Sequence, residues 1–292
     1  MNPRSRPARV SLTHLTSLGS RLTDRDRQIV LDCYEHNVLT TRQLQRLHFA
    51  GLRTAELRLN TLYRLRVLDR FRPAAPPGTG TSPYHWILDE AGAHVVAALQ
   101  GIERRELKWR HANALALAGS PKLHHHIEIN EFFAQLAYEA TIQRGGLTEW
   151  YGERAIHGLF RGIIWPDGYG VLTPRDRPPI HFLLELDRAT EPASQLRDKA
   201  LRYAKAIPRS TLADLRPVVV LAVPDHARAR AASTAIAGTG APIKVAAWSK
   251  RTGQSALTIV PGASEVLGPS VSDDPREASS REVSQVAHGA DT

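Results

Sequence analysis

Carboxylates follow one another along the middle of the chain in a pattern that suits a divalent cation. Asp167 stands in Trp165–Gly168, and Glu185 and Asp187 lie at the end of an apolar run that starts at Ile180. Alternate residues of a strand point to one face, so Glu185 and Asp187 are expected on the same side. Such oxygen ligands suit Mg²⁺ or Mn²⁺, which polarise a phosphodiester and lower the pKa of an attacking water. The pattern predicts a metal-dependent site that acts on phosphodiester bonds.

Neighbouring residues extend this candidate site. Glu153 and Glu131 are candidates for a further ligand, and Lys199 is a candidate to stabilise developing charge or activate the nucleophile. The predicted catalytic residues are Asp167, Glu185, Asp187 and Lys199. The predicted metal ligands are Asp167, Glu185, Asp187 and Glu153, with Mg²⁺ or Mn²⁺ as the expected cofactor. The alternative is structural, with Asp187 and Arg188 pairing with the basic helix 197–205.

The elements that must position these residues alternate between helix and strand. Hydrophobic periodicity predicts helices at Ile127–Arg144, Pro192–Ala206 and Asp225–Ala237, and strands at Thr148–Ile156, Gly162–Leu172, Ile180–Leu186, Pro217–Val223 and Ile243–Trp248. The strand Ile180–Leu186 is strongly apolar and is expected at the centre of the sheet. The run His124–His126 lacks a His-Glu-x-x-His pattern and a third ligand, which favours a polar helix start over a zinc site.

Positive charge is concentrated in the first part of the chain. Residues 1–110 hold 18 Lys+Arg against 10 Asp+Glu, and residues 111–292 hold 20 against 19. The excess is therefore +8 in the first part and +1 in the rest. Surface cations neutralise phosphates and release counterions, so this asymmetry favours a polyanionic partner for the first part.

The first part has the order of elements of a winged helix-turn-helix. Two helices are expected to begin at the caps Thr23 and Thr40. A third is expected to begin at Thr54, with inward-facing Leu57, Leu62, Leu65 and Leu68. A hairpin follows, with strands Val67–Arg72 and Tyr84–Leu88, and then a helix from Asp89 to Ala98. In this plan the third helix enters the major groove and the hairpin lies along the backbone.

The winged helix predicts double-stranded DNA as the partner. The candidate DNA-binding residues are Arg42, Arg53, Arg58, Asn60, Thr61, Arg64, Arg66, Arg70 and Arg72, with Arg58, Asn60, Thr61 and Arg64 on the outer side of the third helix. The alternative is a module that docks proteins, in which these arginines are solvated charge.

The second part is similar to the PD-(D/E)xK nuclease core, in which an Asp after a Pro precedes a strand with Glu-x-Lys. Pro166-Asp167 and Glu185 match that pattern. Asp187 stands where the lysine is expected, and Lys199 on the next helix is the candidate substitute. A degenerate nuclease fold that serves binding or assembly is the alternative.

An ordered set of motifs carries a second resemblance. The motifs are Leu22–Asp26, Leu39–Leu44, His125–Glu131, Trp165–Tyr169 and Glu185–Glu191, followed by Lys199 and Tyr203. From about Leu22 to about Ala237 the chain resembles the replication-relaxation family of bacterial plasmid and mobile-element proteins. The resemblance implies a role in plasmid replication and DNA relaxation, and it supplies no mechanism.

The expected organisation is multi-domain α/β. It comprises a flexible basic arm (1–21), a winged helix domain (22–100), a helical linker (101–122), a restriction-endonuclease-like α/β domain (123–262) and a disordered tail (263–292). A single cysteine, Cys33, the lack of a secretory signal and the lack of a membrane-length apolar run predict a cytoplasmic protein without a membrane partner.

Two functional hypotheses remain open. In the first, the chain binds DNA and uses a divalent metal to nick it during plasmid or mobile-element replication or relaxation. In the second, it is a non-catalytic DNA-binding regulator or replication accessory, whose second domain contacts replication or mobilisation proteins.

Overall fold

A computed structural model describes residues 9–74, 78, 80–160, 162–175, 177–189, 191–248 and 255–261. In these residues the chain is a mixed α/β protein with ten α-helices and two β-sheets. The predicted tail 263–292 and the first eight residues of the predicted arm lie outside the described residues. None of the described helices combines the length and the apolar character that crossing a bilayer requires.

The first unit (12–99) is built around a three-stranded antiparallel sheet. Its elements are α1 (Leu12–Leu18), α2 (Asp24–Glu35), β1 (Leu39–Thr40), α3 (Thr41–His48), α4 (Leu52–Arg64), β2 (Leu68–Phe71), β3 (His85–Leu88) and α5 (Glu90–Leu99). The strand order is β1-β3-β2, and β2 and β3 form a hairpin. The predicted hairpin and the helix after Asp89 are therefore confirmed.

Side-chain caps fix where the helices of this unit begin. Thr23 and Asp26 form a reciprocal capping box at the start of α2, and Thr40 and Gln43 form another at the start of α3. Each box satisfies two backbone donors that a helix start leaves without partners. Both predicted caps are confirmed.

Three expectations for the first unit are wrong. The segment predicted as a flexible arm contains α1, which Ser11 caps and which buries Leu18. The third helix, α4, begins at Leu52 rather than Thr54. Leu57 is 55% exposed, because Ala55, Leu59 and Leu62 occupy the buried face of α4. Helical spacing of three and four residues joins those three positions and leaves Leu57 on the opposite side.

The second unit (123–259) is built around a five-stranded mixed sheet. After α6 (His111–Ala116), its main elements are α7 (Leu123–Ile142), β4 (Gly146–Gly152), α8 (Glu153–Ile156), β5 (Gly168–Thr173), β6 (Ile180–Leu186), α9 (Ala193–Ala206), β7 (Val218–Val223), α10 (His226–Ile236) and β8 (Ile243–Ala247). The strand order is β4-β5-β6-β7-β8. Strands β4, β5 and β6 pair antiparallel, whereas β6, β7 and β8 pair parallel. The predicted bounds and central place of β6 are confirmed.

Two predicted strands of this unit are too long. β4 ends at Gly152, so Glu153 starts α8 instead of lying on a strand. β5 begins at Gly168 rather than Gly162, because Pro166 cannot donate to a sheet ladder. Inside β5, a Cβ atom on Gly170 would lie 2.4 Å from the Phe182 ring, so only glycine fits there.

Helix α7 joins the two units. Phe132 and Phe133 enter the core of the five-stranded sheet. On the side that faces the first unit, the Asn130 side chain donates to the Val38 carbonyl at 2.7 Å. Gln43 of α3 donates to Glu131 at 3.1 Å, and Arg46 of α3 forms an ion pair with Glu131. Buried polar contacts therefore fix α7 against the first unit.

An aromatic stack continues this contact. The ring centroids of His36 and Trp150 lie 3.5 Å apart, and the Trp150 ring stacks in turn on Phe133 with centroids 5.0 Å apart. Burial lowers the pKa of His36 to about 4, which the nearby Asp32 carboxylate offsets only in part. His36 is therefore neutral at neutral pH, and its protonation opposes the folded state.

We predict that His36→Phe reduces the loss of stability in acid. The folded-state pKa of His36 lies below its ordinary value of 6.5, so its contribution is present above pH 6.5 and is lost as pH falls towards 4. At pH 5 the loss is about 2 kcal/mol. Phenylalanine keeps a ring on Trp150 but does not titrate. Urea unfolding at pH 7.5 and pH 5 should show the wild type losing more stability than the variant, and equal losses would contradict this assignment.

Candidate active site

Asp167 lies directly before β5 and is held by the central strand. Its backbone N–H donates to the Leu184 carbonyl at 3.0 Å, and its Oδ2 accepts from the Leu186 N–H at 2.8 Å. Its Oδ1 lies 2.9 Å from Nε2 of His125, in the first turns of α7. The hydrogen bond to Asp167 outweighs burial and raises the pKa of His125. This pair therefore favours an imidazolium beside the carboxylate.

Glu185 is buried on β6, next to β5. Its Oε2 accepts from the Lys199 ammonium at 3.1 Å, and its Oε1 accepts from the Tyr203 hydroxyl. Burial, and then repulsion by the Asp167 carboxylate, raise the pKa of Glu185 to about 7, although Lys199 and Tyr203 oppose this. Glu185 and Asp167 thus act on each other electrostatically across neighbouring strands.

Lys199 and Tyr203 lie one turn apart on α9 and both face Glu185. Lys199 also donates to Glu191 at 2.9 Å. Burial by itself lowers the pKa of Lys199, but the carboxylates of Glu185 and Glu191 outweigh it and the pKa is raised. Burial and the charge of Glu185 raise the pKa of Tyr203. Glu185 is therefore contacted by one cation, Lys199, and one neutral hydroxyl donor, Tyr203.

Asp187 does not share this site. Its Oδ2 accepts from Nε of Arg228 at 2.6 Å, and its Oδ1 accepts from the Ala189 N–H at 2.8 Å. In the described residues, Asp187 has no hydrogen bond or ion pair in common with Asp167, Glu185 or Lys199, with which it was expected to form one site. The alternation of faces applies within a strand, and β6 ends at Leu186, after which the chain turns through Ala189 with φ of 60°.

The other two acids lie elsewhere. Glu153 starts α8, where its charge acts on His126 of α7. Glu131 is buried against α3 and paired with Arg46. Neither residue joins Asp167 and Glu185.

The predicted metal ligands do not form a group of three. In the described part of the chain, three ligand atoms lie within 4.8 Å of one another only at Asp69, Asp89 and His111. Asp89 there accepts two hydrogen bonds from Arg66, at 2.6 and 2.9 Å, which neutralise it. Of the four predicted ligands, Asp167 and Glu185 interact electrostatically: burial, and then the Asp167 charge, raise the pKa of Glu185. Every oxygen of these two carboxylates has a hydrogen-bond partner within the chain.

The candidate DNA-binding residues divide into exposed and engaged side chains. Arg42, Arg53, Arg64 and Arg72 are exposed. Arg58, expected on the outer side of α4, donates instead to the fully buried Asp26 and to the Arg21 carbonyl.

The remaining candidates also make internal contacts. Arg66 pairs with Asp89, and Thr61 donates to the Leu57 carbonyl. Arg70 donates to Asn60 at 2.6 Å and lies over the ring of Tyr84 at 3.9 Å.

His125 is the site residue that sequence reasoning missed. The run His124–His126 was interpreted as a polar helix start, whereas His125 contacts Asp167. Helical periodicity does not place His125 on the buried face, because it lies two residues from the buried Leu123 and Ile127, and residues two apart do not share a helix face. Periodicity also does not show which loop meets that edge of the helix, because the loop arrives 42 residues later.

Fold and site together define a mixed α/β protein with two sheets and a buried Glu-Lys-Tyr group beside an Asp-His pair. The family model for replication-relaxation matches residues 32–214, more than half of the 292-residue chain. The chain belongs to the replication-relaxation family. The match includes Asp167, Glu185 and Lys199. Comparisons with curated proteins and with solved structures gave no match.

We predict that Arg228→Met lowers the free energy of unfolding by about 3 kcal/mol, because it leaves the Asp187 carboxylate buried without its cation. Urea denaturation measures this change. The double variant Arg228→Met with Asp187→Asn should recover most of the loss. If the double variant is as unstable as the single one, the pair does not have the structural role assigned here.

Proposed function

We propose that the chain binds duplex DNA through its first unit and acts in the replication or relaxation of a plasmid or other mobile element. The order α2, β1, α3, α4, β2, β3 and the strand order β1-β3-β2 support a winged helix-turn-helix. In that arrangement α4 is the helix that enters the major groove, and the β2–β3 hairpin is the wing. Family membership supports the replication context.

The outer face of α4 is the observation that carries this proposal. Arg53, Leu57, Thr61 and Arg64 recur at helical spacing on the side opposite the core. Arg53 is 81% exposed, and its contact with Glu56 is long, at 3.8 Å. Arginine suits phosphate or guanine, and an exposed leucine suits the methyl group of thymine. The face thus combines charge for affinity with an apolar group for base contact.

Exposed arginines elsewhere extend the basic surface. Arg42 lies on α3, and Arg72 follows β2, where it lies 3.7 Å from the Tyr84 ring centroid. Arg58 and Arg66 are held by buried carboxylates and contribute to the fold of this unit instead.

We predict that Arg53→Ala with Arg64→Ala weakens binding to duplex DNA at least tenfold at about 0.15 M salt. The plot of log K against log salt should become less steep by about two units, since each lost phosphate contact removes about one unit. Fluorescence anisotropy across a salt series measures both quantities.

The matched control removes two exposed arginines of the second unit, Arg209→Ala with Arg230→Ala. The control should bind like the wild type. Equal losses in both double variants would indicate a general charge effect and would remove the groove-helix assignment.

A second candidate function is divalent-metal-dependent cleavage of one DNA strand in the second unit. The observation that favours it is the grouping of Asp167, directly before β5, with Glu185 on β6 and Lys199 on α9. The sheet order and this placement support a PD-(D/E)xK-like core in which Lys199 replaces the missing strand lysine. The competing possibility is a degenerate core that binds replication or mobilisation proteins.

The residues have separable roles in such a reaction. Asp167 and Glu185 would hold the cation, which when bound would polarise a phosphodiester and lower the pKa of a water. His125 orients Asp167, and Tyr203 orients Glu185. Lys199 supplies positive charge beside the phosphate that enters the site.

We predict that wild type with Mg²⁺ or Mn²⁺ converts supercoiled plasmid to open circles, and that Asp167→Asn and Glu185→Gln each lower the rate at least a hundredfold. Asp187→Asn is the matched control, since Asp187 pairs with Arg228 outside the site, and it should nick normally. Agarose gels report the conversion. A wild type that binds the plasmid without nicking it would support the non-catalytic alternative.

A further inference from the structure

A wide cavity lies between α5 and α6. Its volume is about 680 Å³, and its charged lining consists of Glu90, Arg104, Arg105, Lys108, Arg110 and His111. Four permanent cations therefore face one carboxylate. This segment was expected only as a helical linker, and none of its residues belongs to the candidate sites described above.

The segment 102–111 is anchored on three sides. Arg104 pairs with Glu90 of α5 at 3.3 Å and lies over the Trp109 ring at 5.1 Å. His111 hydrogen-bonds to Asp69 of β2 at 2.9 Å. From the second unit, Arg154 of α8 donates to the Lys108 carbonyl at 2.9 Å. The backbone is thus held between both units before any ligand binds, which reduces the entropic cost of binding.

Its outer cations remain available. Arg105, Lys108 and Arg110 are exposed. Arg105 contacts Glu103 at 2.8 Å, but both side chains are mostly exposed, so this pair is weak. Neither Lys108 nor Arg110 has an ion pair with any residue that the structure describes. The Nε atom of Arg104 is buried and has no hydrogen-bond partner there.

We propose that this cavity, the linker cleft, binds phosphate groups of the DNA backbone. Guanidinium and ammonium groups match phosphate oxygens in charge and hydrogen bonding. Because the segment contacts α5, β2 and α8, a strand bound there lies where the two units meet. The inference rests on the proposed binding of duplex DNA and adds a second contact, independent of α4.

The test compares two triple variants of the full chain. Arg105→Ala, Lys108→Ala and Arg110→Ala remove the exposed cations of the linker cleft. Lys205→Ala, Arg209→Ala and Lys244→Ala remove the same charge from exposed positions near the end of α9 and the amino ends of β7 and β8. These positions lie opposite the strand ends that carry Glu185. Anisotropy with a fluorescent duplex across a salt series is the measurement, and circular dichroism verifies folding.

The linker-cleft variant should bind at least tenfold more weakly, and its plot of log K against log salt should be less steep by about two to three units. The control should keep wild-type values. Equal binding by both variants, or an equal loss in both, overturns the inference. A thermal shift with inorganic phosphate alone, together with unchanged DNA binding, would indicate a small-phosphate site and would also overturn it.

The α4 variant Arg53→Ala with Arg64→Ala separates this inference from the proposed function. If α4 substitution has no effect and the linker-cleft variant loses affinity, the groove-helix assignment fails and the linker cleft stands. If the wild type does not bind duplex DNA at all, both proposals fail.

Discussion

The relative placement of the two units depends on the buried polar contacts of α7. Glu131 is buried, and a buried carboxylate is costly unless a cation and hydrogen bonds compensate it, which Arg46 and Gln43 of α3 do. On the opposite side, Phe132 and Phe133 fix the same helix in the core of the five-stranded sheet. At its start, His125 contacts Asp167. One helix therefore connects α3, which precedes the proposed groove helix, to the candidate active site.

The acids at the carboxyl end of β6 differ in how their charge is compensated. Lys199 and Tyr203 satisfy both oxygens of Glu185, yet burial, and then the nearby charge of Asp167, still raise the pKa of that carboxyl. Asp187 is fully compensated by Arg228 and the turn at Ala189. Asp167 and Glu185 thus interact with each other, whereas Asp187 is paired with Arg228.

Local signals in the sequence predicted much of the fold. The caps at Thr23 and Thr40 and the apolar strand Ile180–Leu186 follow from short-range chemistry, and each is confirmed. Tertiary contacts decided the rest. The periodicity of α4 does not show that Asp26 engages Arg58. That of α10 does not show that Arg228 reaches Asp187, 41 residues earlier in the chain. Long-range ion pairs of this kind depend on how elements pack, and periodicity carries no information about them.

Hydrogen–deuterium exchange of the full chain with and without duplex DNA tests most directly whether the first unit is the DNA-binding part. We expect slower exchange in peptides that cover Leu52–Arg64 and residues 102–110, with β7 and β8 unchanged. Unchanged exchange in Leu52–Arg64, with slowing confined to the second unit, would contradict this expectation.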